Sequence, residues 1–313
     1  MQEIFLILIG LFGLWLGTEF VIKGAVKIAE FYNLSQVFVG LAILSIGTDL
    51  PEMVIAINAS LHHAIGNTDT SGIIIGNAIG SSFSQISVVL GIAGLLGYLT
   101  LKKRHLFEDG IMLLGSVLLV ILLGFDGKIT RVDGIVLVVV YLIYYFRLFH
   151  QERIGKKVKK KFSKHIRKDI LLLILGIAIV IFTSELVVDN SISLADNFGI
   201  KQSFVGIIII GLGTSLPELA LALNAVRKKA SGLSVGNLIG SNIFDMLIPV
   251  GVGASISELS VEKSLLFFDL PFLFILSLLV LFFFYKKKGL QKVEAVVLIG
   301  LFVLYAALKI VGV

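Results

Sequence analysis

Residues Ser35 to Ala59, SQVFVGLAILSIGTDLPEMVIAINA, recur 166 positions later as KQSFVGIIIIGLGTSLPELALALNA, Lys201 to Ala225, with 13 of 25 positions identical. Each copy is a long apolar stretch with a proline and a glutamate at its midpoint, a combination that is expensive in hydrocarbon. A second matched block follows each copy: SGIIIGNAIGSSFSQI, Ser71 to Ile86, and SGLSVGNLIGSNIFDM, Ser231 to Met246, at an offset of 160. The first half has the longer connector between its blocks, HHAIGNTDT against RKK. A chain that makes the same polar, glycine-rich pair of apolar segments twice is constrained to two like halves.

With 57% hydrophobic and only 15% charged residues, most of the 313 positions face lipid or a helical interior. Apolar runs long enough to cross a hydrocarbon core of roughly 30 Å lie at 4–29, 36–61, 71–99, 106–124, 132–149, 169–195, 202–226, 232–256, 264–285 and 293–311. The expected fold is therefore an all-α integral membrane protein of ten transmembrane helices, five in each half. The first run is preceded by Met-Gln-Glu, with no basic residue, and is too long for a signal-peptide core, so it is expected to be retained as a helix. There is no cysteine, which excludes disulfides and thiol chemistry.

Lys and Arg are held on the cytoplasmic side, and here they are sharply segregated. The connectors after spans 3, 5, 7 and 9 hold Lys102-Lys103-Arg104, nine basic residues from Arg153 to Lys168, Arg227-Lys228-Lys229, and Lys286-Lys287-Lys288 with Lys292. The opposite connectors hold only Lys128, Arg131, Lys201 and Lys263. Both termini are thus expected outside a cell membrane. Five spans per half make the halves inverted repeats, related by a pseudo-two-fold axis in the membrane plane. The expected division is residues 1–149 for the first repeat, 150–168 for a basic cytoplasmic connector and 169–313 for the second repeat. The net charge of +6 is read as a topology signal and not as nucleic-acid binding. The basic connector is an inside anchor that also suits anionic headgroups of membrane lipid.

Ionisable side chains inside a membrane normally face a cavity, a partner or an ion. In the repeated blocks these are Asp49, Glu52, Glu218 and Asp245. Residues three and four apart on a helix are neighbours, which gathers Thr48, Asp49 and Glu52 on one side, and likewise Thr214, Ser215 and Glu218. Pro51 and Pro217 remove the donors that the carbonyls of Gly47 and Gly213 would ordinarily meet. Carbonyls, hydroxyls and carboxylates together form an all-oxygen site suited to hard cations such as Ca²⁺ and Na⁺. With no cysteine, and no histidine in these blocks, zinc and copper are disfavoured.

The second blocks offer GNAIGS and GNLIGS. Gly76 with Gly80, and Gly236 with Gly240, have the spacing that lets helices approach closely. Packing explains those glycines but not Asn77, Asn237, Ser81, Ser241, Gln85 and Asp245. Ser81 with Gln85, and Ser241 with Asp245, project oxygens to one side at i,i+4. Neither block is a phosphate-binding loop. Glu19 and Glu185 correspond at an offset of 166 and stay outside this core set. His62 and His63 fall in an outside connector, where a solvated loop is expected over a regulatory metal site.

At GTDLPE with GNAIGS, and GTSLPE with GNLIGS, both halves resemble the sodium/calcium exchanger family of the cation/calcium exchanger superfamily. The resemblance implies central ion sites formed by the second, third, seventh and eighth spans. It implies Glu52 and Glu218 as the principal Ca²⁺ ligands, supported by the carbonyls of Ser45 and Gly211 and by Thr48 and Thr214. It also implies that Ser81, Ser215, Ser241 and Asp245 surround neighbouring Na⁺ sites.

Two positions depart from the family pattern. Asp49 stands where the serine seen here at Ser215 is usual, and Gln85 stands where asparagine is common. Like charges close together resist joint ionisation, so Asp49 either binds a further cation or holds a proton. Eukaryotic relatives carry a large regulatory insert between the halves, and only the short basic connector occupies that place here.

The function this implies is secondary antiport of Na⁺ against Ca²⁺ by alternating access, with no enzymatic activity and no cofactor besides the transported ions. Ca²⁺ and Na⁺ compete for the same carboxylates, and the long, glycine-bearing first and sixth helices are candidates to slide over the rest. A monomer in membrane lipid is the expected unit. An exchanger coupled to H⁺ or K⁺ is the nearest alternative, because Asp49 adds a titratable group. A cation channel is a remoter one. An intramembrane hydrolase lacks its HExxH or GxSxG motif.

Overall fold

The computed structural model of the chain describes residues 2–31, 45–66, 68–101, 103–153, 166–227, 231–287 and 289–311. In the first half α1 is Gln2–Phe31, α2 is the short Ser45–Thr48 and α3 is Leu50–Gly66. Then come α4 (Ser71–Leu96), α5 (Lys103–Leu123), the two-residue strand β1 (Lys128–Ile129) and α6 (Arg131–Arg153). The second half opens with α7 (Ile166–Phe198). Next is α8, which runs through Gln202–Phe204, a π-helical turn at Val205–Ile210, and Gly211–Thr214. It continues with α9 (Leu216–Arg227), α10 (Ser231–Ile256), β2 (Leu259–Ser260), α11 (a π-turn at Leu265–Asp269 and then Leu270–Lys287) and α12 (Lys292–Val311).

Among the described residues nine helices are long and apolar enough to cross a membrane, and α2 with α3 is the described part of the tenth span. The observed spans match the apolar runs to within a few residues. The first ten residues of the first repeated segment and most of the basic connector lie outside the described residues.

The repeats are visible in how the halves are pinned together. Ile129 and Lys128 of β1 pair antiparallel with Leu259 and Ser260 of β2, and Leu99 bridges Leu290. Leu99 and Leu259 are 160 positions apart, and Ile129 and Leu290 are 161 apart. Each link is therefore the repeat-mate of the other: the segment after the third span of one half pairs with the segment after the fourth span of its mate.

The two glycine-rich helices are the centre. Every residue of α4 from Ser71 to Phe83 is buried, as is every residue of α10 from 234 to 251. The outer helices turn Phe5, Phe12, Phe146, Ile174 and Phe182 outward, an apolar surface suited to lipid. The spacing of Gly76 and Gly80 has the role read from it. A Cβ on Gly80 would stand 2.2 Å from the carbonyl oxygen of Ile207, and one on Gly76 would stand 2.7 Å from that of Ser203.

Backbone thus meets backbone where α4 crosses α8. The obstructing atom at Gly80 is a carbonyl, which cannot rotate aside. Gly80→Ala is expected to lower the melting temperature in detergent, at a cost of about 1–3 kcal/mol or more. Gly115→Ala is the control, since nothing lies within 4 Å of its Cβ position.

The first and seventh helices form a second smooth interface. Cβ atoms on Gly10, Gly17 and Gly24 of α1 would meet Val187, Val180 and Asp169 of α7, and one on Gly176 would meet the carbonyl of Gly17 at 2.6 Å. Lys27 and Asp169 close one end with an ion pair at 3.1 Å.

Candidate ion-binding site

Both repeated segments break at the position before LPE. Asp49 separates α2 from α3, and Ser215 separates α8 from α9. The prolines sit in the first turn of the new helices, where a missing N–H costs no hydrogen bond. Glu52 and Glu218 follow in that same first turn, where the helix dipole favours negative charge. The break thus places two carboxylates against two helix N-termini inside the bundle. The freed carbonyl expected at Gly213 is only partly free, because the N–H of Ser215 turns towards it.

Glu52, Asp49 and Asp245 converge, each fully buried, with one carboxylate oxygen from each lying within 4.8 Å of the others. Glu218, also fully buried, faces Thr48 and Asp49, yet neither of its oxygens has a donor in hydrogen-bonding geometry. Ser81 Oγ donates to Glu52 Oε1 at 2.7 Å and lies 3.2 Å from Ser215 Oγ. Gln85 Nε2 donates to Ser81 Oγ and to Asp245 Oδ2, both at 3.0 Å. Thr48 Oγ1 donates to the Ser45 carbonyl at 3.3 Å, and Ser215 Oγ donates to that of Gly211 at 2.8 Å. Thr214 Oγ1 reaches the Gly211 carbonyl at 3.4 Å and Asn77 Oδ1 at 3.3 Å. Ser241 Oγ, one turn before Asp245, is buried without a partner.

The twelve residues singled out from the sequence therefore lie on the elements that meet at one centre. The geometry adds an asymmetry. Glu52, Asp49 and Asp245 bring one oxygen each within a common 4.8 Å, whereas Glu218 reaches that group from the side of Asp49.

None of the four carboxylates is ion-paired with a Lys, Arg or His among the described residues. Both oxygens of Asp49 and of Glu218, Glu52 Oε2 and Asp245 Oδ1 have no hydrogen-bond partner. Buried anionic oxygens without donors are costly unless a cation meets them. The donor set is carboxylate, hydroxyl, amide and carbonyl oxygen, which fits a hard cation as cargo.

Sequence reasoning missed three contributors. Asn242 Nδ2 donates to Gln85 Oε1 at 2.7 Å and to the Leu238 carbonyl at 2.8 Å, locking the Gln85 amide. Tyr141 of α6, almost fully buried, packs edge-on against Phe244 beside Asp49 and Asp245. Pro249, inside α10, takes the i→i−4 donor from the carbonyl of Asp245 itself. Its repeat-mate is Val89, which ends the π-turn Ser84–Val89 that contains Gln85. Both glycine-rich helices thus disturb their backbone ladder beside the polar centre, one with a proline and one with a π-turn, a form often found at functional sites.

The residues left outside the core set remain outside it. Glu19 pairs with Lys23 at 3.5 Å, and Glu185 lines an outer cleft with Asn58 and His62. His62 meets Asp189 at 3.1 Å, while His63 meets Asp69 at 3.9 Å, so the two histidines do not converge.

The sodium/calcium exchanger protein family matches residues 3–149 and 168–311. The sodium/calcium exchanger MaX1 of Methanosarcina acetivorans is 29% identical over 342 residues, with 96% of each chain covered. The inner membrane protein YrbG of Escherichia coli is 33% identical over 264 residues, covering 80% of this chain and 79% of its own. Among solved structures, the sodium-calcium exchanger NCX_Mj soaked with Na⁺ and Sr²⁺ superposes with a TM-score of 0.71 at 29% identity, covering 97% of both chains. With both halves matched and the two-repeat membrane fold in common, the chain belongs to the sodium/calcium exchanger family.

Proposed function

We propose that this chain is a secondary antiporter that exchanges Na⁺ for Ca²⁺ across the membrane by alternating access. One observation carries the reading: four fully buried carboxylates, Asp49, Glu52, Glu218 and Asp245, drawn from both repeats and holding six oxygens with no donor. Ca²⁺ binds Glu52 and Glu218, with the hydroxyls of Thr48 and Thr214 and the carbonyls of Ser45 and Gly211 completing the shell. Na⁺ ions occupy the oxygens shared with Ser81, Ser215, Ser241, Gln85 and Asp245. The two loads exclude each other because they draw on the same carboxylates. An under-neutralised site is held from crossing by the cost of burying net charge. The pair α1 and α7, smooth at their glycine contacts, slides over the rest to change the facing of the site.

Ca²⁺ and Na⁺ are cargo in this reading, so no resident cofactor and no covalent chemistry is required. The segregation of Lys and Arg supports both termini outside, with residues 1–149 and 169–313 as inverted units around a cytoplasmic connector at 150–168. A monomer suffices, since the described site draws every ligand from one chain. A second reading, coupling to H⁺ or K⁺, is favoured by the extra carboxylate of Asp49.

Purified protein in liposomes loaded with Na⁺ is expected to take up labelled Ca²⁺ on dilution into Na⁺-free medium. Uptake driven equally by a pH gradient in the absence of Na⁺ would replace the Na⁺ reading with the proton one.

A further inference from the structure

We propose that Asn58 with Ser184, and their repeat-mates Asn224 with Thr18, are two gating contacts made in alternation, each closing one face of the ion site. This deepens the antiport reading and rests on it for which face each contact closes. None of the four residues is an ion ligand.

In each half the asparagine lies six residues after the LPE glutamate, and the hydroxyl immediately precedes Glu19 or Glu185. The first contact is made. Asn58 Nδ2 of α3 donates to Ser184 Oγ of α7 at 2.6 Å, and Ser184 in turn donates to the carbonyl of Ile181 at 2.8 Å. The mates, both at an offset of 166, behave differently. Thr18 Oγ1 of α1 is fully buried without a hydrogen-bond partner, and Asn224 of α9 is exposed. A helical hydroxyl ordinarily falls back on a carbonyl one turn earlier, as Thr183 does on Ile179 at 2.8 Å. Thr18 does not, and a buried hydroxyl left orphaned in one state calls for a partner in another.

The surroundings repeat the asymmetry. Beside the contact that is made, His62 of α3 meets Asp189 of α7 at 3.1 Å. The sequence places Lys228 and Lys23 at the mate positions, two like charges, and Lys23 turns to Glu19 at 3.5 Å. On that side an apolar groove of about 690 Å³, lined by Leu11, Trp15, Leu216 and Leu219 among others, lies between α1 and α9. Helix α7 is thus clasped to α3 while α1 stands off α9. In an inverted repeat, exchanging the arrangements of the two halves turns one facing into the other. Because α1 and α7 pack closely at Gly10, Gly17, Gly24 and Gly176, they move as a pair. The slide that parts Ser184 from Asn58 brings Thr18 to Asn224.

A chain without cysteine suits a cross-linking test on the purified protein. Asn58→Cys with Ser184→Cys, and Thr18→Cys with Asn224→Cys, are each expected to form a disulfide under mild oxidation. With all four substitutions together, each molecule is expected to form one disulfide and keep two thiols open to maleimide. In oriented vesicles Asn58→Ala is expected to raise the ratio of internal to external half-saturating Ca²⁺ by about fivefold, the order of one neutral hydrogen bond. Thr18→Val is expected to lower that ratio to a similar degree, a reversal of sign that a merely structural role would not give. Two disulfides in one molecule, failure of either pair to cross-link, or a ratio that stays fixed or moves one way in both variants would overturn the alternating gates. Exclusive cross-links in a protein without Na⁺-driven Ca²⁺ uptake would overturn the antiport reading and leave the gates in place.

Discussion

Glu52→Gln and Glu218→Gln are each expected to abolish Na⁺-driven Ca²⁺ uptake while leaving the protein folded. The substitution keeps the shape of the side chain and removes its charge. Ser81, which donates to Glu52 Oε1, can donate equally to an amide oxygen. Glu218 has no donor to lose. On the proposed assignment, however, the bound Ca²⁺ loses one of its principal anions in a site shielded from water. Removing one charge of a buried, paired set costs about 3–5 kcal/mol, on the order of 10²–10⁴ in affinity. Initial uptake rates at sub-saturating Ca²⁺ read this directly. Two variants with normal elution and melting and no uptake are the expected outcome, and undiminished uptake in either would remove that glutamate from the site.

The second large effect is on stability and lies away from the ion centre. Asp269 of α11 is fully buried, accepts from Tyr305 at 2.6 Å and pairs with Lys309 of α12 at 2.9 Å. The Tyr305 ring stacks on Phe83 of α4 with centroids 4.0 Å apart, so the cluster ties the last two helices to the central one. Lys309→Met leaves the carboxylate buried and unpaired, at a cost of about 3–5 kcal/mol. The melting temperature in detergent is expected to fall sharply. Asp269→Asn combined with Lys309→Met is expected to recover most of the loss, because no uncompensated charge remains. A double variant as unstable as Lys309→Met alone would mean that packing, not charge, sets the cost.

That cluster also shows where reading the sequence stops. The spans and the two repeats were legible because each is a local pattern, an apolar length or a matched block, while the ligand candidates Ser45 and Gly211 came from the resemblance of the motifs. Asp269, Tyr305 and Lys309 lie outside the matched blocks, and only packing brings α11 and α12 into register. A weak signal did exist. Asp109 accepts from Tyr144 at 3.1 Å in the first half, and these two residues precede Asp269 and Tyr305 by 160 and 161 positions. Extending the repeat alignment past the glycine blocks would have paired them.

The buried carboxylates were legible as residues but not in their arrangement. The residues lie on the expected elements, yet the grouping of Asp49 with Asp245 across the two repeats is a product of helix crossing. So is the use of Asn242 to hold Gln85. Glu52 and Glu218 look equivalent in the motifs, whereas their surroundings differ because aspartate at 49 and glutamine at 85 break the repeat symmetry.

Mutual exclusion at one buried centre is the claim on which the transport mechanism rests, and equilibrium binding tests it without vesicles or gradients. Labelled Ca²⁺ bound to the purified protein, titrated with Na⁺ at constant ionic strength, is expected to be displaced completely. The curve should steepen as several Na⁺ ions replace one Ca²⁺, and the midpoint should rise with Ca²⁺ concentration. Ca²⁺ that stays bound at saturating Na⁺, or a midpoint indifferent to Ca²⁺, would contradict a shared site.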